Sequence, residues 1–266
     1  MINHIPGACK NGLFTRAHQE RWNLSLLYSH QRPCSADCRL SKRLRSPYYY
    51  TLDKLGFQYL QRAGQDVNEA FRAAKEVDKH ALFAKHTLEL NDIIISAALL
   101  KHSSQNFWLE SFVHERELKR KPYKASWAGG SFSLIPDAFL VFRMIVPDGR
   151  QRRMAVVLEQ DRGSEEQYYF RRRIRAYLIM LRNEGYKELF GVGGITIAFS
   201  TSAGLPRLAK MREWTFKEFE ATGESQLYKS SFYFTALPET LEPRQVWLHS
   251  SWYTLFDNQP VSLLGV

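Results

Sequence analysis

The chain has 266 residues, a formal net charge of +10 and a hydrophobic fraction of 44%, which is enough apolar matter for one large domain or two modest ones and too much for a disordered chain. Its longest apolar run, residues 93–100, is far below the roughly 20 residues of a membrane span, and residues 1–10 lack a signal-like hydrophobic block, so a cytoplasmic protein without membrane association is expected. Three cysteines, an odd number, argue against a disulfide framework of the secreted kind.

The start of the chain carries weak signals. Residues 14–28 have helix-like spacing and residues 30–38 read as a loop. Cys34 and Cys38, with His30 or Cys9, match no standard zinc-pair spacing, so no zinc site is assigned. From Ser46 the pattern sharpens. Tyr48-Tyr49-Tyr50-Thr51-Leu52 is built of strand-favouring residues, and residues 53–62 follow with helical spacing, with Thr51 or Asp53 as caps. This strand-into-helix sequence resembles the wing strand and following helix of bacterial winged-helix domains. A complete domain of that kind needs three helices before the wing, which implies a truncated or divergent copy.

Residues 64–79 are polar and alanine-rich, a linker or exposed helix, and residues 80–102 form a long helix. Leu82, Phe83, Leu90, Ile93, Ile94 and Ala97 recur there at three- and four-residue steps, the mark of a docked face. Strands follow at 107–118, 133–146 and 153–160, with a turn at Pro147-Asp148-Gly149. A helix over 165–184 ends at Gly185 as its C-cap; a strand at 194–200, a helix at 205–222 and a strand at 230–236 complete the order. Trp247 and Trp252 in the tail are better used in core packing than in base stacking. The sum is a mixed α/β architecture in which helices cover a central sheet.

The basic residues cluster: Lys42-Arg43-Leu44-Arg45, Lys119-Arg120-Lys121, residues 150–153 and residues 171–175. One such cluster is commonly a solvated face, but four on one chain favour a polyanionic partner, and nucleic acid is the usual one. Lys42, Arg43 and Arg45 are assigned to DNA contact.

Two expected strands carry acids at their ends. Pro136-Asp137 opens the second, and Leu158-Glu159-Gln160-Asp161 closes the third. Residues two apart share a strand face, so Glu159 and Asp161 point the same way if the strand reaches that far, and Asp137 enters from a neighbour. Such a set could hold Mg²⁺ through Asp137 and Glu159, with Asp137, Glu159 and Asp161 as the catalytic acids of phosphodiester hydrolysis. The same residues have a structural use. Arg162 would neutralise the acids, and Gly163-Ser164 would turn the chain into a helix capped by Ser164, with Glu165 and Glu166 at its positive end.

The order of elements and the Pro-Asp, then Glu-x-x spacing are similar to the PD-(D/E)XK nuclease superfamily. There a lysine stands where this chain has Asp161, a departure that counts against hydrolysis. More closely, Pro136-Asp137-Ala138, Glu159-Gln160-Asp161-Arg162-Gly163-Ser164-Glu165 and the basic helix Phe170-Arg171-Arg172-Arg173-Ile174-Arg175-Ala176-Tyr177 resemble the replication-relaxation family of bacteria and their plasmids. That resemblance implies a winged-helix protein with a nuclease-like C-terminal core. Its pattern commonly places lysine at Arg173, and arginine clamps phosphate better than it moves protons. Arg162, Arg171 and Arg173 are assigned to phosphate.

The expected organisation is therefore a divergent winged-helix segment (1–65), a linker (66–79), a restriction-endonuclease-like α/β core (80–240) and an aromatic tail (241–266). Two functions stand. One is a DNA-binding protein of plasmid or mobile-element replication or its control, with an inactive core and no metal; the other is a Mg²⁺-dependent DNA endonuclease. A third class is a protein-interaction scaffold, in which the truncated winged helix pairs with a partner through its aromatic strand; a homodimer is a further candidate assembly.

Overall fold

The computed structural model describes residues 27–31, 48–52, 54–64, 81–224, 228–238 and 240–265. Two compact units divide the chain, Met1–Asp92 and Ile93–Val266.

In the first unit, β1 (Leu27–Gln31) pairs antiparallel with β2 (Tyr48–Leu52), and α1 (Lys54–Arg62) follows. The strand-into-helix sequence from Tyr48 is as expected. Tyr28 and His30, expected in a helix end and a loop, instead lie in β1 opposite Thr51 and Tyr49; a backbone ladder with a strand distant in sequence outweighs their local pattern. Lys42, Arg43, Arg45, Cys9, Cys34, Cys38, Asp53 and the 66–79 linker lie outside the described residues.

The helix α2 (Ala81–Ser103) contains the division between the units. In its second-unit part, Ile93, Ser96, Ala97 and Leu100 are buried at helical spacing. After it come β3 (Phe107–His114), the short α3 (Glu115–Leu118), the hairpin β4 (Tyr123–Trp127) and β5 (Gly130–Leu134), β6 (Ala138–Ile145) and β7 (Gln151–Asp161). Then follow α4 (Gln167–Arg182), α5 (Gly185–Phe190), β8 (Thr196–Thr201), α6 (Leu205–Thr222), β9 (Phe232–Ala236), α7 (Pro243–Trp247) and β10 (Tyr253–Thr254).

Six strands form one sheet in the order β10-β9-β8-β7-β6-β3. The β3, β6 and β7 strands make an antiparallel meander, and β7, β8 and β9 run parallel through the crossovers that contain α4 and α6. Among the described residues the fold is thus mixed α/β, a multi-strand sheet flanked by helices, and no helix is long and apolar enough to cross a membrane. The strand β6, next to the edge strand β3, is buried along both faces from Ala138 to Phe142, and those five residues are all apolar, as burial on both faces requires. On one face Val141, Val157 and Phe199 pack with Phe170, Ile174 and Tyr177 of α4. On the other, Phe142 meets Trp247 with ring centroids 4.9 Å apart, and the Trp247 indole N–H donates to Ser96 Oγ at 2.9 Å. The tail tryptophans are core, as expected.

Several boundaries differ from the expected ones. The strand over 107–118 stops at His114, whose ring accepts the Arg116 N–H at 3.3 Å and opens α3. The stretch 133–146 is two strands parted at Ile135-Pro136-Asp137, since proline has no N–H for a ladder. The helix expected over 165–184 begins at Gln167, and Gly185 opens α5 instead of capping α4, whose C-cap is Asn183. Ser164 is not the N-cap. Glu166 occupies that position without a side-chain cap bond, because the turn is closed earlier, where the Gly163 N–H donates to Asp161 Oδ1 at 2.7 Å. Gly163 has φ +82°, and a Cβ there would lie 2.7 Å from Ala203 Cβ, so both backbone conformation and close approach require glycine.

Candidate functional site

Because β7 persists to Asp161, the expected alternation holds and places Val157, Glu159 and Asp161 on the sheet face that α4 covers. Asp137, immediately before β6, accepts the Gln160 N–H at 2.7 Å through Oδ2. This ties the two strand ends together and sets Asp137 beside Glu159, whose carboxyl feels its charge.

Glu159 is 2% exposed. Its Oε2 accepts from Arg173 at 3.0 Å and its Oε1 from the Tyr177 hydroxyl at 2.5 Å. Arg173 and Tyr177 are four apart on α4, so one helix face delivers both donors. The second arm of Arg173 reaches Glu165 Oε1 at 2.8 Å. Burial pushes the Glu159 carboxyl up to about 8, against the opposing pull of the guanidinium, with Asp137 adding to the rise. Glu165 is raised for the same leading reason. Burial works against the charge of Arg173, but Glu159, Glu165 and Asp137 together hold its guanidinium above the usual value.

Asp161 belongs to a separate clamp. Arg207 donates to it bidentately, Nε to Oδ1 and a terminal nitrogen to Oδ2, both at 2.7 Å. That same terminal nitrogen donates to the Glu165 carbonyl at 2.8 Å, and the guanidinium lies 4.8 Å from the Trp214 ring centroid. Thr201 Oγ1 at 3.3 Å and the Gly163 N–H complete the donors around Asp161 Oδ1. The Asp161 and Arg207 side chains are 4% and 9% exposed, so this is a buried, fork-shaped ion pair.

Of the sequence-derived residues, Asp137, Glu159 and Arg173 come together, while Asp161 faces Arg207. Arg171 points elsewhere and donates to the buried Glu218 of α6 at 2.9 Å. Arg162 is half-buried on the turn after β7. Sequence reasoning missed Tyr177, Arg207 and Glu218 and read Glu165 only as a helix-end charge. One signal for Arg207 was available: a cation in the first turn of α6 opposes the helix dipole, so a carboxylate partner was called for.

The donor set fits a resident divalent cation poorly. Both Glu159 oxygens already accept hydrogen bonds, Asp161 is matched by a guanidinium, and Arg173 supplies positive charge between Glu159 and Glu165. Among the described residues no group of three or more His, Cys, Asp or Glu side chains is placed to hold a metal.

The family model described as replication-relaxation matches residues 23–192, more than half of the chain. The protein belongs to the replication-relaxation family. No curated protein and no solved structure matches it. In this family member the matched segment contains Asp137, Glu159, Glu165, Arg173 and Tyr177, whereas Arg207 and Glu218 lie beyond it. The acid cage around Arg173 is therefore built wholly from the family segment.

Proposed function

We propose that this replication-relaxation protein is a cytoplasmic DNA-binding factor of plasmid or mobile-element replication or its control, with a divergent winged-helix segment and a nuclease-like core that does not cleave. The reading rests on the Arg173 guanidinium, bonded to Glu159 and Glu165 in the field of Asp137, where hydrolysis would require a metal and its water. Arginine holds a proton too tightly to activate water at neutral pH, so the cage is built for permanence rather than turnover. The net charge of +10 and the four basic clusters support a polyanionic partner.

The endonuclease alternative keeps Asp137 and Glu159 at adjoining strand ends, but it requires Arg173 to be displaced and Glu159 to ionise. Binding of labelled duplex DNA, followed by fluorescence anisotropy in a salt series, tests the binding reading. Affinity that falls linearly with the logarithm of salt concentration is expected without added metal. Absence of affinity at low salt, or affinity with no salt slope, would refute it.

A further inference from the structure

The four arginines of residues 171–175 do not act as one basic face. Arg173 enters the acid cage, while Arg171, Arg172 and Arg175 line a cleft of about 570 Å³. Glu218, 3% exposed at its side chain, is shared by Arg171 and Arg175, each donating through Nε. Arg172 has a different environment. It donates to the Ser131 carbonyl at 2.5 Å, and its guanidinium carbon lies 5.4–5.9 Å from the ring centroids of Tyr168, Phe132 and Trp127. Arg175 lies 5.5 Å from the same Trp127 ring. Three guanidiniums thus face two carboxylates, Glu218 and the rim residue Glu166, leaving the wall positive.

Tyr168 also lines the cleft, and Tyr169 is its neighbour in the chain. Tyr168 is 62% exposed and Tyr169 52% exposed, with ring centroids 5.2 Å apart. Large rings held in solvent beside guanidiniums have a specific use: a base stacks on the ring while the phosphates meet the cations. Duplex DNA keeps its base faces inside the stack and could use only the cations. A single strand uses both.

We propose that this cleft, lined by the start of α4 and by Glu218 of α6, binds single-stranded DNA. Tyr168 serves as the stacking platform, and Arg171, Arg172 and Arg175 meet the backbone. The proposal deepens the DNA-binding reading and rests on it. It places the strand away from the Arg173 cage, so binding and the closed cage coexist.

The test uses the full chain with a labelled oligothymidine of about 12 nucleotides, within the usual site sizes of single-strand binders, and a labelled duplex. Tyr168→Ala is expected to lower the ratio of single-strand to duplex affinity roughly tenfold, the effect of losing one base–aromatic stack, and Tyr168→Phe to keep it. Arg172→Met with Arg175→Met is expected to flatten the single-strand salt slope by about 0.7 per lost charge. Because Tyr168 is solvent-exposed, its variants remain informative if the arginine variants misfold. If the wild-type chain binds duplex but Tyr168→Ala leaves the ratio unmoved, the cleft proposal falls and the DNA-binding reading stands. If neither DNA binds at low salt, both fall.

Discussion

Replacing Arg207 by methionine isolates the clamp on Asp161. The long apolar side chain can still cover Trp214, but both bonds to the carboxylate and the bond to the Glu165 carbonyl disappear. Breaking a buried ion pair from one side costs about 3–5 kcal/mol, because a charge is left without its partner. Asp161 Oδ1 keeps the Gly163 N–H and the Thr201 hydroxyl, which places the expected loss near the lower end, about 3 kcal/mol. With a urea slope of about 2 kcal/mol/M, the midpoint should fall by about 1.5 M. Asp161→Asn added to Arg207→Met removes the orphaned charge while keeping an acceptor for Gly163, so the double variant should regain about 1–2 kcal/mol over Arg207→Met. Urea denaturation followed by tryptophan fluorescence reads all four members of the cycle. If Arg207→Met lies within about 1 kcal/mol of wild type, below the range for breaking a buried pair, Asp161 is not held by this clamp.

Three further outcomes follow from the same geometry. Glu159, with its carboxyl raised to about 8, keeps its proton in the folded chain after the unfolded chain has lost it. Its contribution to stability is thus full below about pH 4.5 and is lost as pH rises through about 8; Glu159→Gln should flatten that decline in denaturation curves between pH 5 and 9, and a parallel offset at every pH would contradict it. Tyr177→Phe strips Glu159 Oε1 of its hydroxyl donor and should cost about 1–3 kcal/mol by chemical denaturation, with a neutral result speaking against the bond. Gly163→Ala should lower the melting temperature, since a left-handed backbone costs about 1–2 kcal/mol for any residue with a Cβ and the added carbon meets Ala203; Ala203→Gly in the same chain should recover the steric part, and no recovery would place the whole effect in the backbone.

Local pattern made much of the core readable from sequence. The apolar run Ala138–Phe142 of β6, the periodic face of α2, and Pro206 near the start with Gly223 after the end of α6 each announce their element without help from distant residues. Asp137 and Glu159 were legible as neighbours because a Pro-Asp step opens one strand and the acid closes the next, and antiparallel pairing sets Ala138 opposite Leu158. The β4–β5 hairpin, in which Trp127 pairs with Gly130 across a two-residue loop, is hard to see in the sequence: its alternating small and aromatic residues make only a weak strand signal, and Pro136 sits inside an otherwise continuous strand-like stretch. The sorting of the arginines was illegible for a different reason. Arg171 and Arg175 find Glu218 more than 40 residues later, and Asp161 finds Arg207 at similar separation. Such pairings are decided by how α6 packs against α4 and the end of β7, not by any local spacing.

Incubation of supercoiled plasmid with the purified chain and Mg²⁺ or Mn²⁺ addresses the closed cage most directly. The plasmid should stay supercoiled while a band shift shows that it is bound. Nicking or linearisation that requires the divalent cation and vanishes in Asp137→Ala would show instead that Arg173 yields its place to a metal.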